Sequence, residues 1–298
     1  PGGPTPLAHM EDERKAWDAE LTRQFKRVSA TLGYGVSKES DYVSRGISLN
    51  TVTDFNQKNT NLLLGYGRTD DTIMERKLGW TFDREKTGND FLVGVTQLLD
   101  PNTSLQANLS IGRSHGFQSD PYKIVSTTML DLDPGSYYTP PENRPRYKNK
   151  VTIFLGVNRN FEACHGALEA SYRYYHDTFG ITSHTTSLAW VQEVGEHLVV
   201  QPFLRFYRQS ASDFYYYNLD ASHVVTTYDQ TTFETGTGRA PFYSSDVRLS
   251  YMQSIDAGVK LTWRIKRWVA LDFTFDRYVT RGLDGITPQD GYYKAKNF

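Results

Sequence analysis

Apolar and polar residues alternate with a period of two in segment after segment, which restricts the chain to strands with two unlike faces. The clearest run covers 247–265. Val247, Leu249, Tyr251, Ile255, Ala257, Val259, Leu261, Trp263 and Ile265 fall on one side; Arg248, Ser250, Asp256, Gly258, Lys260, Thr262 and Arg264 fall on the other. A helix would spread these residues around its circumference. The same split recurs at Leu105, Ala107, Leu109 and Ile111, at Val151, Ile153, Leu155 and Val157, and at Leu168, Ala170, Tyr172 and Tyr174. Shorter versions begin at Trp17, Val28, Ile47, Leu62, Val93, Leu188, Leu198 and Val269. The pattern predicts about twelve strands of roughly ten residues, with a thirteenth beginning near Tyr292, the length and spacing of an all-β, antiparallel transmembrane β-barrel.

The connections sort by length. Tight turns are expected near Lys26, at 56–59, 100–102, 163–166 and 195–197, and near Lys266 and Arg267. Alternating with them are longer connections at 38–44, 68–90, 116–148, 215–244 and 281–291, with a short one at 180–184. Short turns at one rim and long loops at the other are the habit of outer-membrane barrels, whose long loops face outward. A soluble sandwich has no reason to sort its loops this way. No window approaches the roughly 18 consecutive apolar residues of a membrane helix, so a membrane would be crossed by strands.

Composition agrees. Only 38% of the 298 residues are apolar, yet 14% are aromatic, with 20 Tyr and 16 Phe. Clusters such as Tyr172, Tyr174 and Tyr175, or Tyr215, Tyr216 and Tyr217, suit the girdle where amphipathic rings meet headgroups. A formal net charge of −1 gives no basic surface for nucleic acid. The single cysteine, Cys164, excludes an internal disulfide and fits a turn. The opening residues, PGGPTPLAHMEDERK, lack the charged head and apolar core of an export signal, which an exported protein would already have lost.

The polar face carries Glu169, Arg173, Asp177, Glu193, Arg205, Arg248, Asp256, Lys260, Arg264, Asp272 and Asp276. Burying so many unpaired charges in a dry core would cost several kcal/mol each, so this face is expected to line a wet lumen. The signs are mixed, and opposite charges could pair across the bore.

Five stretches resemble a family of Gram-negative outer-membrane barrels catalogued as a domain of unknown function. They are FNQKNTNLLLGYGRTDDTI (55–73), GVTQLLDPNTSLQANLSIGRSHGFQSDPYKIVS (94–126), SYRYYHDTFGITSHT (171–185), QPFLRFYRQSASDFY (201–215) and YSSDVRLSYMQSIDAGVKL (243–261). The resemblance draws attention to Asp120, Pro121, Tyr122 and Lys123 of the DPYK stretch, to His184, and to the pair Asp213 and Phe214. It also implies that PGGPTP is the tail of a loop following earlier strands and that GYYKAKNF is only the start of a closing strand. The chain is then expected to be a fragment of a barrel of about 14–16 strands, although Phe298 could itself be the terminal aromatic that assembly machinery reads.

The resemblance implies a bacterial outer-membrane location and no settled activity, so function must be read from lumen and loops. Three readings stand. The first is a channel or transport barrel for a small solute. The second is a scaffold or surface-binding barrel holding other outer-membrane or periplasmic subunits, with outer-membrane lipid and lipopolysaccharide as surroundings. The third is a lipid-modifying enzyme, for which Ser183 with His184, Ser114 with His115, and His176 with Asp177 are the only pairings available. Adjacent strand residues point to opposite faces, which weighs against Ser114 with His115 and against His176 with Asp177. No cofactor is implied, since GYG and GTG lack a nucleotide-binding context. The seven scattered His residues and the lone Cys164–His165 pair supply no metal cluster; Asp131 and Asp133 form a weak calcium candidate.

Overall fold

The computed structural model describes residues 13–77, 80–128, 141–220 and 242–297. Asp131, Asp133, PGGPTP and Phe298 lie outside them, as does much of 215–244. The strands are β1 (Lys15–Gln24), β2 (Val28–Lys38), β3 (Tyr42–Phe55), β4 (Thr60–Lys77), β5 (Trp80–Asp100), β6 (Thr103–Gly116), β7 (Ser126–Thr128) and β8 (Tyr147–Phe161). There follow β9 (Gly166–Asp177), β10 (Thr182–Val194), β11 (Leu198–Gln209), β12 (Asn218–Asp220), β13 (Met252–Lys266), β14 (Val269–Gly282) and β15 (Lys294–Asn297). Thirteen of them form one sheet in the order β1-β2-β3-β4-β5-β6-β8-β9-β10-β11-β13-β14-β15, while β7 and β12 pair in parallel as a separate two-stranded sheet. Within the large sheet every neighbour is antiparallel. Among the described residues β1 and β15 each have one unpaired edge, so the sheet is open there.

The period-two pattern maps onto the two faces as the sequence implies. Leu32, Leu49, Leu64, Val93, Leu109, Leu155, Leu188, Leu204, Ile255 and Phe273 stand exposed on one face. Each contributes about 1.5–3 kcal/mol when hydrocarbon covers it. Hydrocarbon offers the backbone no water, so N–H and C=O groups must be paired within the wall, which the antiparallel ladders between neighbouring strands provide away from the open edges. The opposite face is polar and closely fitted. Gly258 lies between Phe203 on β11 and Asp276 on β14, and a Cβ there would sit 2.4 Å from the Phe275 carbonyl oxygen and 2.7 Å from Phe203 Cζ. Only glycine leaves room for the Phe203 ring to come so close to the backbone at that point.

The tight turns fall where expected, but two connections differ. The segment expected as a loop at 68–90 is strand: β4 and β5 run on, pairing from Thr60↔Gln97 out to Lys77↔Trp80. Their neighbours stop earlier, β3 at Tyr42↔Ile73 and β6 at Lys86↔Gly116, so the hairpin continues as a two-stranded ribbon beyond the wall. Outside the membrane both faces meet water, so alternation disappears while the strand persists. The connection expected at 38–44 is also short, because β2 and β3 stay paired to Lys38↔Val43.

The buried apolar residues gather at the loop rim. Phe179, Ile181, Phe214 and Leu249 form one cluster with Tyr175, Tyr215 and Tyr216, and Val125, Leu219 and Tyr243 form a second against Tyr216. The connections after β6 and β11 therefore pack together as a cap, joined by the β7–β12 pairing.

Candidate functional site

Two groups of polar side chains follow from this architecture, one on the inner wall and one in the cap. On the wall, strand parity puts Glu169, Arg205 and Asp256 on the polar face of β9, β11 and β13, with Arg205 directly opposite Asp256. They border a cavity of about 470 Å3 together with Gln106, Asn158 and the rings of Phe154 and Phe203. Asp256 Oδ1 is buried without a hydrogen-bond partner. Neither Glu169 nor Arg205 forms an ion pair or hydrogen bond among the described residues.

Other charges on the inner face are engaged. Lys150 Nζ reaches Asp90 Oδ1 at 2.8 Å, passing over Gly112, where a Cβ would collide with both side chains. Lys260 pairs with Asp272 at 3.2 Å and Arg264 with Glu193 at 3.0 Å. Asp276 accepts from Asn297 Nδ2 at 2.8 Å. These bonds run along the wall, between residues of nearby strands. Arg173, also on the inner face, has no ion-pair or hydrogen-bond partner among the described residues.

The cap is held by a buried ionic chain. Glu142, whose side chain is fully buried, accepts from the Asp120 backbone N–H and from the Ser244 hydroxyl. Arg144 Nη2 donates to Glu142 Oε2 and to Asp246 Oδ2, each at 3.0 Å. Its Nε lies 2.7 Å from Glu142 Oε1, an ion-pair contact at an angle outside hydrogen-bond geometry. Arg248 grips Asp246 through Nε and Nη2 and reaches Asp120 at 3.4 Å. Arg248 is thus not a lumen residue, as the alternation suggested. It sits in a short 3-10 turn, Val247–Leu249, whose N-cap is Asp246. The serine pair before Asp246 and the acid at the cap position were the signal for that turn.

Burial pushes the Asp246 carboxyl up, but hydrogen bonds from Arg248 and the charges of Arg248 and Arg144 outweigh it and hold the group below the ordinary aspartate value. The Asp246 bond in turn raises Arg248. A carboxyl depressed in the folded state stabilises the fold fully above its unfolded pKa of about 3.9, and that contribution fades as pH falls through the folded value. Amide protection in 117–125 and 242–251 is therefore expected to hold at pH 6 and to drop below about pH 4, with protection in β9–β11 changing less. Hydrogen exchange in detergent checks this; equal losses in cap and wall would defeat it. Tyr215, half-buried in the cap and bonded to Thr287, is pushed up to about 12 by burial.

Asp177 closes the β9–β10 turn beneath this cap. It is buried and accepts from Phe179 N at 2.9 Å, Ile181 N at 3.2 Å and the Tyr175 hydroxyl at 2.6 Å, and pairs with Lys148 at 2.9 Å. Of the resembling motif, Asp120 forms a local turn by accepting from Tyr122 N, while the Tyr122 hydroxyl bonds Asp41. Pro121 and Lys123 belong to the same turn, in which the Lys123 N–H bonds the Asp120 carbonyl. Phe214 is core, and the Asp213 N–H bonds the Phe179 carbonyl at 2.9 Å. His184 stands on the outward face, Nδ1 2.6 Å from the Tyr172 hydroxyl.

The three Ser, His and acid pairings do not assemble. Ser183 is buried on the inner face while His184 faces out; His115 stacks on Tyr147 outside while Ser114 accepts from Gln118; His176 bonds Thr182 outside while Asp177 is buried within. Cys164 is exposed in its turn. Among the described residues no three His, Cys, Asp or Glu side chains gather as metal ligands, and no helix is long and apolar enough to cross a membrane.

The wall resembles solved barrels far from it in sequence. The siderophore receptor PirA from Pseudomonas aeruginosa matches 91% of this chain at 10% identity with a TM-score of 0.56, over 46% of its own length. PirA from Acinetobacter baumannii matches 96% at 10% identity with a TM-score of 0.57, over 47% of its length. The ferric enterobactin receptor PfeA from Pseudomonas aeruginosa matches 91% at 12% identity with a TM-score of 0.58, over 43% of its length. The chain thus spans about half the length of these receptors, and the likeness shows the fold, that of bacterial outer-membrane barrels. No curated protein matches it in sequence. A family model described as "Protein of unknown function (DUF3570)" matches residues 2–292. With a single model running through both the wall and the cap, the chain belongs to the DUF3570 family of proteins of unknown function.

Proposed function

We propose that this chain forms the wall of an outer-membrane transport barrel that passes a small polar solute, with the inner cavity as its contact surface and the cap as its outer restriction. One observation carries the reading: Glu169, Arg205 and Asp256 border a cavity with no ion pair or hydrogen bond among the described residues, while Lys150, Lys260 and Arg264 on the same face are paired along the wall. Uncommitted charges in a wet bore are free to meet a solute and to bias which ions pass. Purified protein in a planar bilayer should conduct, and Arg205→Glu should shift the reversal potential toward cations without loss of conductance. Glu169→Gln with Asp256→Asn should shift it toward anions. A barrel closed in every condition overturns the reading.

A scaffold role is favoured by the packed cap, which offers a fixed outer surface built from the connections after β6 and β11. Pull-down from native membranes in mild detergent tests it, and recovery of the barrel alone counts against it. The surrounding partners in either case are outer-membrane lipid and lipopolysaccharide.

A further inference from the structure

The outward face of the sheet carries a concentration of unpaired cations at one place. Register puts Arg208, Gln253 and Arg281 in one row across β11, β13 and β14. Lower on the same face, Arg277 lies beside Ala257 on β13 and Lys296 on β15, and Val279 lies beside Lys294. All five cations are exposed. No carboxylate pairs with Arg277, Arg281, Lys294 or Lys296 among the described residues; Arg208 is occupied by Tyr251, through its hydroxyl and its ring face at 5.2 Å. Arg277 and Arg281 wall a groove of about 320 Å3 floored by Ile255, Ala257 and Val279.

Cations on a lipid-facing surface are destabilising in proportion to their depth unless an anion meets them. We propose that this groove binds the phosphorylated headgroup of an outer-leaflet glycolipid of the lipopolysaccharide class. The patch lies at the loop end of β13 and β14, the rim that faces outward in such barrels. Its cations stand at two levels, since four strand residues separate Arg277 from Arg281 by about 13 Å, which suits a head carrying more than one phosphate. The guanidinium groups offer forked, charge-assisted hydrogen bonds to phosphate oxygens. Below them Phe275 and Phe273 on β14, beside Val259 and Leu261 on β13, continue the face as an apolar bed for acyl chains.

The test uses the intact protein in detergent with purified lipopolysaccharide as the probe, read by native mass spectrometry. Intact lipopolysaccharide is expected to stay bound, and the same lipid with its phosphates removed to bind about ten-fold more weakly. A variant combining Arg277→Gln, Arg281→Gln, Lys294→Gln and Lys296→Gln should lose a similar factor while keeping the heat-modifiable gel mobility of a folded barrel. The comparison of the two lipids on unaltered protein needs no variant. Equal binding of both lipids overturns the proposal. So does phosphatidylglycerol binding as tightly as lipopolysaccharide, which would make the site a general phospholipid contact, and so does displacement of the lipid by millimolar inorganic phosphate, which would make it a small-anion site.

Discussion

Arg144→Ala is expected to open the cap while leaving the wall intact. Among the described residues, the substitution removes the only cation touching Glu142 and one of two touching Asp246, both carboxylates almost wholly buried. Leaving buried carboxylates without their partner costs about 3–5 kcal/mol, comparable to the whole local stability of a surface segment. Amide protection in 117–125 and 242–251 should fall sharply, protection in β9–β11 should not, and bilayer recordings should show longer or larger openings if the cap restricts the bore. Unchanged protection would mean that Glu142 and Asp246 find water without the cap moving, and the chain of charges would lose its role.

Asp177 should give the second large effect. Alanine there strips the acceptor from two backbone donors, Phe179 N and Ile181 N, and from Tyr175 and Lys148. Two orphaned donors at about 1–3 kcal/mol each put the loss near 3 kcal/mol. Asp177→Asn keeps an oxygen for the turn and gives up only the charge opposite Lys148, which is partly exposed, so its loss should be about 1 kcal/mol. Urea unfolding of the two variants in detergent measures both. If asparagine costs as much as alanine, the Lys148 pair rather than the turn is the larger contribution.

The difference between these two residues shows what the sequence discloses. Asp177 was legible as inward-facing because it lies in phase with Glu169 and Arg173 on β9. Its work in the turn was not, because the following Thr178–Phe179–Gly180 carries no periodic signal. The wall was legible throughout, since a two-faced strand writes its environment into alternate residues. The cap was not. Glu142 meets Ser244 and Arg144 meets Asp246 across 102 positions, and nothing local in either connection announces the other. Arg248 misled for a related reason: Val247, Leu249 and Tyr251 continue the phase of β13 into a segment that is a 3-10 turn. At 68–90 the opposite happened, polar residues such as Asp70, Asp71 and Glu85 reading as coil where the ladder continues.

The ribbon formed by the outer ends of β4 and β5 also reports on insertion. A membrane crossing needs about 9–11 strand residues, and these strands have 18 and 21, so part of the hairpin stands clear of lipid, beyond the last residues that β3 and β6 pair with it. Every strand of the large sheet runs opposite to the next. A protease given to intact cells that cuts this hairpin therefore orients the entire wall with a single nick, since fixing the direction of β4 fixes all the rest.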